Sequence, residues 1–259
     1  MKHFFIKKII FQKALCIFTH SNLLLNRYMK QFVLIIISFL CLFSCKENSY
    51  TPQPTQLHTK YIVLETPHEC NFTLTQITID VVAGIRDTQV WHVRDIMSNV
   101  IVDTLDYTLY RVERNRRKSD TLPWNPYTVY SIRAYSKSLV RVWENTPYVI
   151  MQFPEIIGKT WNGNEYNTKP AEQYSYTAIN TTDTIGQTIY DSVLVITQQN
   201  FKSLYTYQFK EERYAYGVGL ISKTTYDVES QPNHANINLN LPIEQRITKG
   251  TIEIYERKN

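Results

Sequence analysis

The sequence predicts a mainly β protein: a single antiparallel β domain, built as a strongly curved or barrel-like sheet, that follows a signal peptide and a polar tether. Two features of the 259-residue chain support this prediction. From Tyr61 onward, short runs rich in Val, Ile, Thr, Tyr and Phe recur between polar breaks, which is typical of an all-β domain. Ahead of them, the apolar run at residues 32–43 is followed by a polar stretch with two prolines, residues 46–59.

The formal net charge of +5 is concentrated at the amino terminus. Residues 1–44 contain six of the 28 Lys and Arg residues and no Asp or Glu, whereas residues 45–259 contain 22 basic and 23 acidic residues. The body of the chain therefore has no overall basic bias. Net charge gives no support to nucleic acid as a partner.

The leader has the features of a lipoprotein signal. Its apolar run is shorter than the roughly 20 residues that a membrane-spanning helix needs, but it suits the hydrophobic core of a signal peptide. The sequence Leu42-Phe43-Ser44-Cys45 resembles the bacterial lipobox, in which the cysteine is acylated after cleavage. We therefore expect residues 1–44 to be removed and Cys45 to anchor the protein in the cell envelope, at the outer membrane. The alternative is an ordinary secretory signal with an accidental cysteine.

The domain boundaries follow from this assignment. Residues 45–59 form the lipidated cysteine and the tether, and residues 60–259 form the β-rich domain. Since Met29-Lys30-Gln31 begins a compact signal by itself, we expect translation to start at Met29. A long but functional leader from Met1 is the alternative.

The β domain divides into short predicted strands. They are Tyr61–Glu65, Phe72–Val82, Val90–Met97, Leu105–Arg114, Tyr127–Ala134, Leu139–Trp143, Tyr148–Phe153, Tyr174–Ile179, Ile189–Gln198, Tyr205–Tyr214, Val218–Tyr226 and Thr251–Tyr255. Their short connections favour antiparallel meanders. The apolar positions change parity near Gln76, which predicts a β-bulge there. Two alternatives stay open: a helix over residues 87–100, and a two-lobed body divided near Pro154–Gly163.

Two motifs carry a resemblance to a known group. They are Phe153-Pro154-x-x-x-Gly158-Lys159-x-Trp161-Asn162-Gly163-Asn164 and Glu211-Glu212-x-Tyr214-Ala215-x-Gly217-Val218-Gly219-Leu220-Ile221. Together they resemble a family of uncharacterised Bacteroidota lipoproteins over most of residues 60–259. That family implies no activity to transfer to this chain.

A structural role is the preferred interpretation for the residues of these motifs. Gly158 and Gly163 suit turns with positive φ, and Asn162-Gly163 is a tight-turn dipeptide. Trp161 is expected to plug one end of the sheet. The alternative is ligand contact, for which the candidate residues are Trp161, Asn162, Asn164 and Tyr214.

The sequence contains no recognisable catalytic or metal-binding motif. The four histidines after the leader, His58, His68, His92 and His234, are widely spaced. Only Cys70 remains once Cys45 is acylated, so no intrachain disulfide is expected. Cys70 with His68 or His92 would make a nucleophile, but an inert buried cysteine is the preferred interpretation. We expect no catalytic residue, no metal and no cofactor.

Two functions follow as hypotheses. The first is a non-enzymatic envelope lipoprotein that binds an apolar ligand or a protein partner, or has a structural role. The alternative is a surface glycan-binding lipoprotein, because aromatic rings are abundant: 18 tyrosines follow the leader, with Trp91, Trp124, Trp143 and Trp161. The basic cluster Arg111–Lys118 is interpreted as a solvated strand end and turn, with contact to an anionic lipid as the alternative.

The lipid anchor is tested by replacing the acylated cysteine. Cells that express the Cys45→Ala variant are expected to incorporate no labelled palmitate into this protein, because the only thiol that accepts the diacylglycerol is gone. A Cys70→Ala variant is the matched control and is expected to label fully. Labelling that survives in Cys45→Ala would contradict the lipobox assignment.

Overall fold

The computed structural model describes residues 59–102, 107–230 and 238–258. This part of the chain is all-β, as predicted, with twelve antiparallel strands in one sheet. The strands are β1 (His68–Asp80), β2 (Ile85–Val102), β3 (Tyr107–Arg117), β4 (Asn125–Tyr135), β5 (Ser138–Trp143), β6 (Thr146–Gln152), β7 (Thr160–Asn162), β8 (Gln173–Ile185), β9 (Thr188–Lys202), β10 (Thr206–Ala215), β11 (Gly219–Glu229) and β12 (Lys249–Lys258). Within the described ranges the only helical turns are of the 3₁₀ type, at Thr59–Tyr61 and Ile243–Gln245.

The sheet is two meanders joined in the middle. Strands β1 to β6 form the first, β7 to β12 form the second, and β1 pairs with β12. The outermost strands, β6 and β7, meet at a seam. There Val149 N donates to Gly163 O at 2.9 Å, and Trp161 Nε1 donates to Val149 O at 2.8 Å. These contacts nearly close the sheet into a barrel, which confirms the predicted architecture.

The two alternatives to this fold receive no support. Residues 87–100 lie in strand β2, paired on both sides, and do not form a helix. Strands from both sides of residues 154–163 belong to the same sheet. The predicted strand at Tyr61–Glu65 is wrong, because this segment begins as a 3₁₀ turn and continues without strand structure.

The segment before β1 closes one end of the barrel. Tyr61 and Ile62 are buried in the same apolar cluster as Met97 of β2. Gly217 N donates to Lys60 O at 2.7 Å, which fixes the segment to the turn between β10 and β11. The chain therefore enters the barrel at its closed end.

The predicted bulge at Gln76 is wrong. Strand β1 pairs with β2 and β12 in continuous register through this residue. The parity change has another cause: Leu74 is buried on one face of β1, and Ile79 is buried on the opposite face. One strand buries apolar side chains on different faces along its length, without an inserted residue.

Real bulges occur elsewhere in the sheet. Register shifts in the β3–β4, β5–β6 and β9–β10 ladders leave one extra residue in each pair: Tyr127, Ile150 and Gln198, respectively. A bulge bends its strand and re-aims the side chain of the extra residue. All three of these side chains reach the same cavity, described below.

Two expectations at the seam have different outcomes. Gly158 has a φ of 77°, as predicted for a turn, but Gly163 does not have a positive φ. Gly163 is required for another reason, since a Cβ built on it would lie 2.3 Å from Cζ of Tyr174. Trp161 is buried as expected, although it packs at the seam, against Tyr174 and Tyr176.

The close approach at Gly163 generates a stability prediction. Gly163→Ala should lower the free energy of unfolding by about 1–3 kcal/mol, because the new methyl group forces the Tyr174 ring out of its packed position. The measurement is chemical denaturation of Gly163→Ala, Tyr174→Ala and the double variant. The alanine at residue 163 should cost much less in the Tyr174→Ala background. Equal costs in both backgrounds would refute the steric explanation.

Candidate functional site

The barrel interior holds a cavity of about 430 Å³. This volume falls within the usual range for small-molecule sites, about 300–1,000 Å³. Its aromatic walls are Tyr127, Tyr130, Trp143, Tyr148, Tyr174 and Tyr255. Its charged lining residues are Arg114, Arg141, Lys210, Lys223, Glu144, Glu172, Glu212 and Glu253. The site is therefore concave, aromatic and polar.

The three bulges contribute directly to the cavity wall. Tyr127, Ile150 and Gln198 all line it. Each is the extra residue of its ladder, and Tyr127 has the opposite parity to Tyr130, which lines the same cavity from the same strand. The cavity thus depends on irregular positions of the sheet as well as on regular inward-facing ones.

A buried ion pair crosses the interior. Arg141 of β5 donates from Nη1 and Nη2 to the two carboxylate oxygens of Glu212 on β10, at 2.7 and 3.3 Å. The Tyr214 hydroxyl also donates to Glu212, and Lys223 Nζ lies 3.7 Å from its Oε1. Burial alone would raise the pKa of Glu212, but the charges of Arg141 and Lys223 and the hydrogen bonds from Arg141 and Tyr214 lower it to about 2. Glu212 therefore stays ionised at neutral pH.

A second ion pair lies beside the first. Arg114 donates from Nε and Nη2 to the two oxygens of Asp95, at 2.7 and 2.6 Å. The Tyr130 hydroxyl donates to the same carboxylate at 2.9 Å. The Arg114 guanidinium also lies 5.4 Å from the Trp143 ring centroid and 5.3 Å from that of Tyr255. Ion pairing and cation–π contacts fix this wall.

The other charged groups of the cavity are also mostly engaged. Lys210 Nζ donates to Glu172 at 3.2 Å, and Gln76 Nε2 donates to Glu253 at 3.1 Å. The lining residues carry four positive and four negative formal charges. The cavity is therefore rich in ionic groups but balanced in charge.

The candidate contact residues from the sequence lie around the seam and the core. Asn162 Oδ1 accepts from the backbone N–H groups of Asn164 and Glu172, each at 3.0 Å. Asn164 is buried and donates to Pro170 O, while Trp161 bonds Val149 as described. None of these three lines the 430 Å³ cavity, although Asn162 helps to position Glu172, which does.

The fourth candidate, Tyr214, lines a smaller cavity of about 70 Å³ together with Ile62, Cys70 and Met97. Arg141, Tyr130, Ile150 and Leu220 line both cavities, so they form a floor between them. This floor separates a small apolar space at the closed end from the larger polar one.

Sequence reasoning missed most residues of the larger cavity. Of its lining, only Trp143 was counted individually among the aromatic residues that could contact a glycan. One available signal was Arg141, a single charge within the apolar run Leu139–Trp143. A charge in such a run needs a buried partner, but the sequence does not say that the partner is Glu212.

Cys70 and His68 do come together, but their electrostatics oppose nucleophilic catalysis. Cys70 Sγ lies 3.1 Å from His68 Nε2 and 3.3 Å from Arg257 Nη1. Burial raises the pKa of the thiol despite Arg257, and burial together with Arg257 lowers the pKa of His68. The arrangement favours a neutral thiol beside a neutral imidazole, and a neutral thiol is a poor nucleophile.

No cluster of three or more His, Cys, Asp or Glu side chains suited to a metal ion occurs within residues 59–102, 107–230 and 238–258. In those same ranges no helix has the length and apolar character needed to cross a membrane. The leader, Cys45 and the tether up to His58 lie outside the described residues.

Neither a known protein family nor a curated protein sequence matches this chain.

The Glu212 ion pair generates a pH prediction. Because the folded-state pKa of Glu212 is depressed, its contribution to stability is present above its ordinary pKa of 4.5 and is lost as the pH falls towards 2. Glu212→Gln should lower the free energy of unfolding by about 3 kcal/mol at pH 7, since it leaves Arg141 buried without its counter-charge. It should also flatten the loss of stability between pH 4.5 and 2. Denaturant unfolding across this pH range measures both effects.

The matched control for this prediction is Glu256→Gln, at an exposed carboxylate on β12. It should leave both the stability at pH 7 and the acid-side slope close to those of the parent protein. A Glu212→Gln variant with an unchanged slope would show that Glu212 is not the group that titrates there.

Proposed function

We propose that this protein is a lipid-anchored module of the cell envelope, held by acylated Cys45, that binds a saccharide in the barrel cavity without transforming it. The observation that carries the proposal is the cavity itself. It combines six aromatic rings with a dense set of hydrogen-bonding groups whose formal charges balance.

The chemistry of the lining suits a hydroxylated ligand. Aromatic faces pack against the C–H faces of a sugar ring, as Tyr and Trp do in binding sites that mix apolar and polar contacts. Carboxylates accept hydrogen bonds from hydroxyl groups, and guanidinium and ammonium groups donate to them. Since the charges are already paired within the protein, such a ligand gains hydrogen bonds without having to neutralise an ion.

An apolar ligand, one of the sequence hypotheses, receives less support. It would bury the ionic groups of the larger cavity and offer them no hydrogen bonds, which is costly. The smaller cavity is more apolar, but at about 70 Å³ it falls well below the size of ordinary ligand sites. A protein partner would not account for the aromatic and ionic lining of the larger cavity.

Binding without catalysis is supported by the state of the buried groups. Glu212, with its pKa of about 2, carries no proton to donate at neutral pH, and Arg141 and Tyr214 already engage both of its carboxylate oxygens. Cys70 lies beneath the floor, in the smaller cavity, with a raised thiol pKa. Neither group is prepared for attack on a ligand in the larger cavity.

The proposal predicts that Trp143 contributes to saccharide affinity. The Trp143→Ala variant should bind at least about tenfold more weakly than the parent protein, because a large aromatic side chain in a cavity carries much of the binding energy. Isothermal titration against a panel of neutral and acidic disaccharides measures the effect, with the full chain in a zwitterionic detergent.

Phe201→Ala is the matched control, since Phe201 is an exposed ring that does not line the cavity. It should bind like the parent protein. If the parent protein binds no saccharide of the panel, or if Trp143→Ala and Phe201→Ala lose affinity equally, the cavity is not a saccharide site.

A further inference from the structure

A stack of alternating cations and rings lies at the edge of the cavity. Lys118 Nζ lies 3.6 Å from the Trp91 ring centroid. The Arg116 guanidinium lies 4.4 Å from the Trp91 centroid and 4.0 Å from that of Tyr127. We call these four residues, Lys118, Trp91, Arg116 and Tyr127, the rim stack.

The rim stack is continuous with the cavity. Tyr127, its last ring, lines the cavity, where the bulge in β4 has re-aimed it. Arg116 lies two residues after the lining residue Arg114 on β3. Because the extra residue of the bulge is on β4, strand β3 keeps its regular alternation, and both arginines point to the same face of the sheet. A ligand in the cavity can therefore extend to Arg116.

Arg116 is arranged to receive an anion. The guanidinium of Arg116 packs against the rings of Trp91 and Tyr127. Such stacking leaves the N–H groups at the edge of the guanidinium plane free. Within the described residues, the Arg116 side chain contacts these two rings and makes no ion pair and no hydrogen bond. The edge of a guanidinium donates two parallel hydrogen bonds to a carboxylate, sulfate or phosphate group.

The nearby carboxylates are engaged with other groups. Asp120 pairs with Arg117 at 2.5 Å, and Asp87 accepts from Gln89 at 2.8 Å. Lys118 donates to the neutral Gln89 side chain at 3.0 Å, so it does not take up a carboxylate either. The rim stack thus holds two cations without a direct counter-ion, in contrast to the balanced cavity.

This arrangement divides the basic cluster Arg111–Lys118 into parts with different surroundings. Arg111 pairs with Glu113, Arg114 with Asp95, and Arg117 with Asp120. Arg116 and Lys118 are the two cations of the rim stack. The cluster is therefore not one uniformly solvated strand end.

We infer that the saccharide bound in the cavity is acidic, and that its carboxylate or sulfate group is held at the edge of Arg116 while the sugar ring lies within the aromatic walls. This inference rests on the proposed saccharide function and specifies its ligand class. The neutral interior receives the hydroxylated ring, and the surplus positive charge at the rim receives the acidic substituent.

The experiment compares matched pairs of probes: sulfated lactose with lactose, and digalacturonate with its methyl ester. Titration uses the full chain in a zwitterionic detergent. The acidic member of at least one pair should bind about tenfold or more tightly than its neutral form, as expected for hydrogen bonds to a charged group. Arg116→Gln should remove this preference while retaining the affinity for the neutral form.

Two controls separate recognition from general charge. Arg116→Lys keeps the positive charge but lacks the planar fork, so it should keep only part of the preference. Lys137→Gln removes one exposed charge from the turn between β4 and β5 and should keep all of it. Both arginine variants should melt within a few degrees of the parent protein. If Arg116→Gln does not fold, Arg116→Lys decides the outcome.

The possible failures are distinguishable. If the parent protein binds neutral and acidic forms equally, or if Arg116→Gln keeps the preference, the inference is wrong and the saccharide site stands. If the parent protein binds neither form of either pair, the proposed function and the inference both fall. If Arg116-dependent binding is seen only with phosphatidylglycerol vesicles, the anion belongs to a membrane and the inference is overturned.

Discussion

The interior of this barrel depends on the ion pair between Arg141 and Glu212. These residues belong to different meanders, on β5 and β10, which are not neighbours in the sheet. Their contact therefore spans the interior. Glu212 is fully buried, and a buried charge that loses its partner is strongly destabilising. The pair therefore links the two meanders across the interior, next to the cavity.

The same pair also separates two environments. Arg141 lines both cavities, with apolar residues such as Ile62, Phe72 and Met97 on the side of the closed end. On the other side lie the aromatic and ionic walls. Because the floor contains a closed hydrogen-bonded network of Arg141, Glu212 and Tyr214, it is rigid, and it limits how deep a ligand can enter.

The fold could be predicted from the sequence further than the site could. Alternation and β-branched composition suffice for an antiparallel sheet, since they report which residues suit a half-buried strand. Bulges are different, because a bulge is a relation between two strands. A parity change near Gln76 suggested one where the register is continuous, whereas Tyr127, Ile150 and Gln198 show nothing unusual until their partner strands are known. Those three positions contribute to the cavity wall, so this part of the site could not be predicted.

The motif residues also show why the site could not be predicted from the sequence. Trp161, Asn162 and Gly163 are conspicuous in the sequence, and the structure uses them at the seam, where a ring, an amide and a close backbone approach complete the barrel. Conspicuous residues there maintain the shape of the site without lining it. The residues that do line it, such as Lys210 and Glu253, are ordinary charged residues of β strands, and only closure of the sheet brings them together.

The balance of charge differs between the interior of the cavity and its rim. Inside the cavity each cation has a carboxylate within reach, so the electrostatic field largely cancels and hydrogen-bond geometry decides what binds. At the rim, Arg116 and Lys118 face rings in place of carboxylates, so their charge is not cancelled locally. Charges near the surface act over about 8–10 Å at physiological ionic strength. An acidic ligand would therefore be attracted by the charge of the rim and then selected by the hydrogen-bonding groups of the walls. A neutral ligand would be selected by the walls alone.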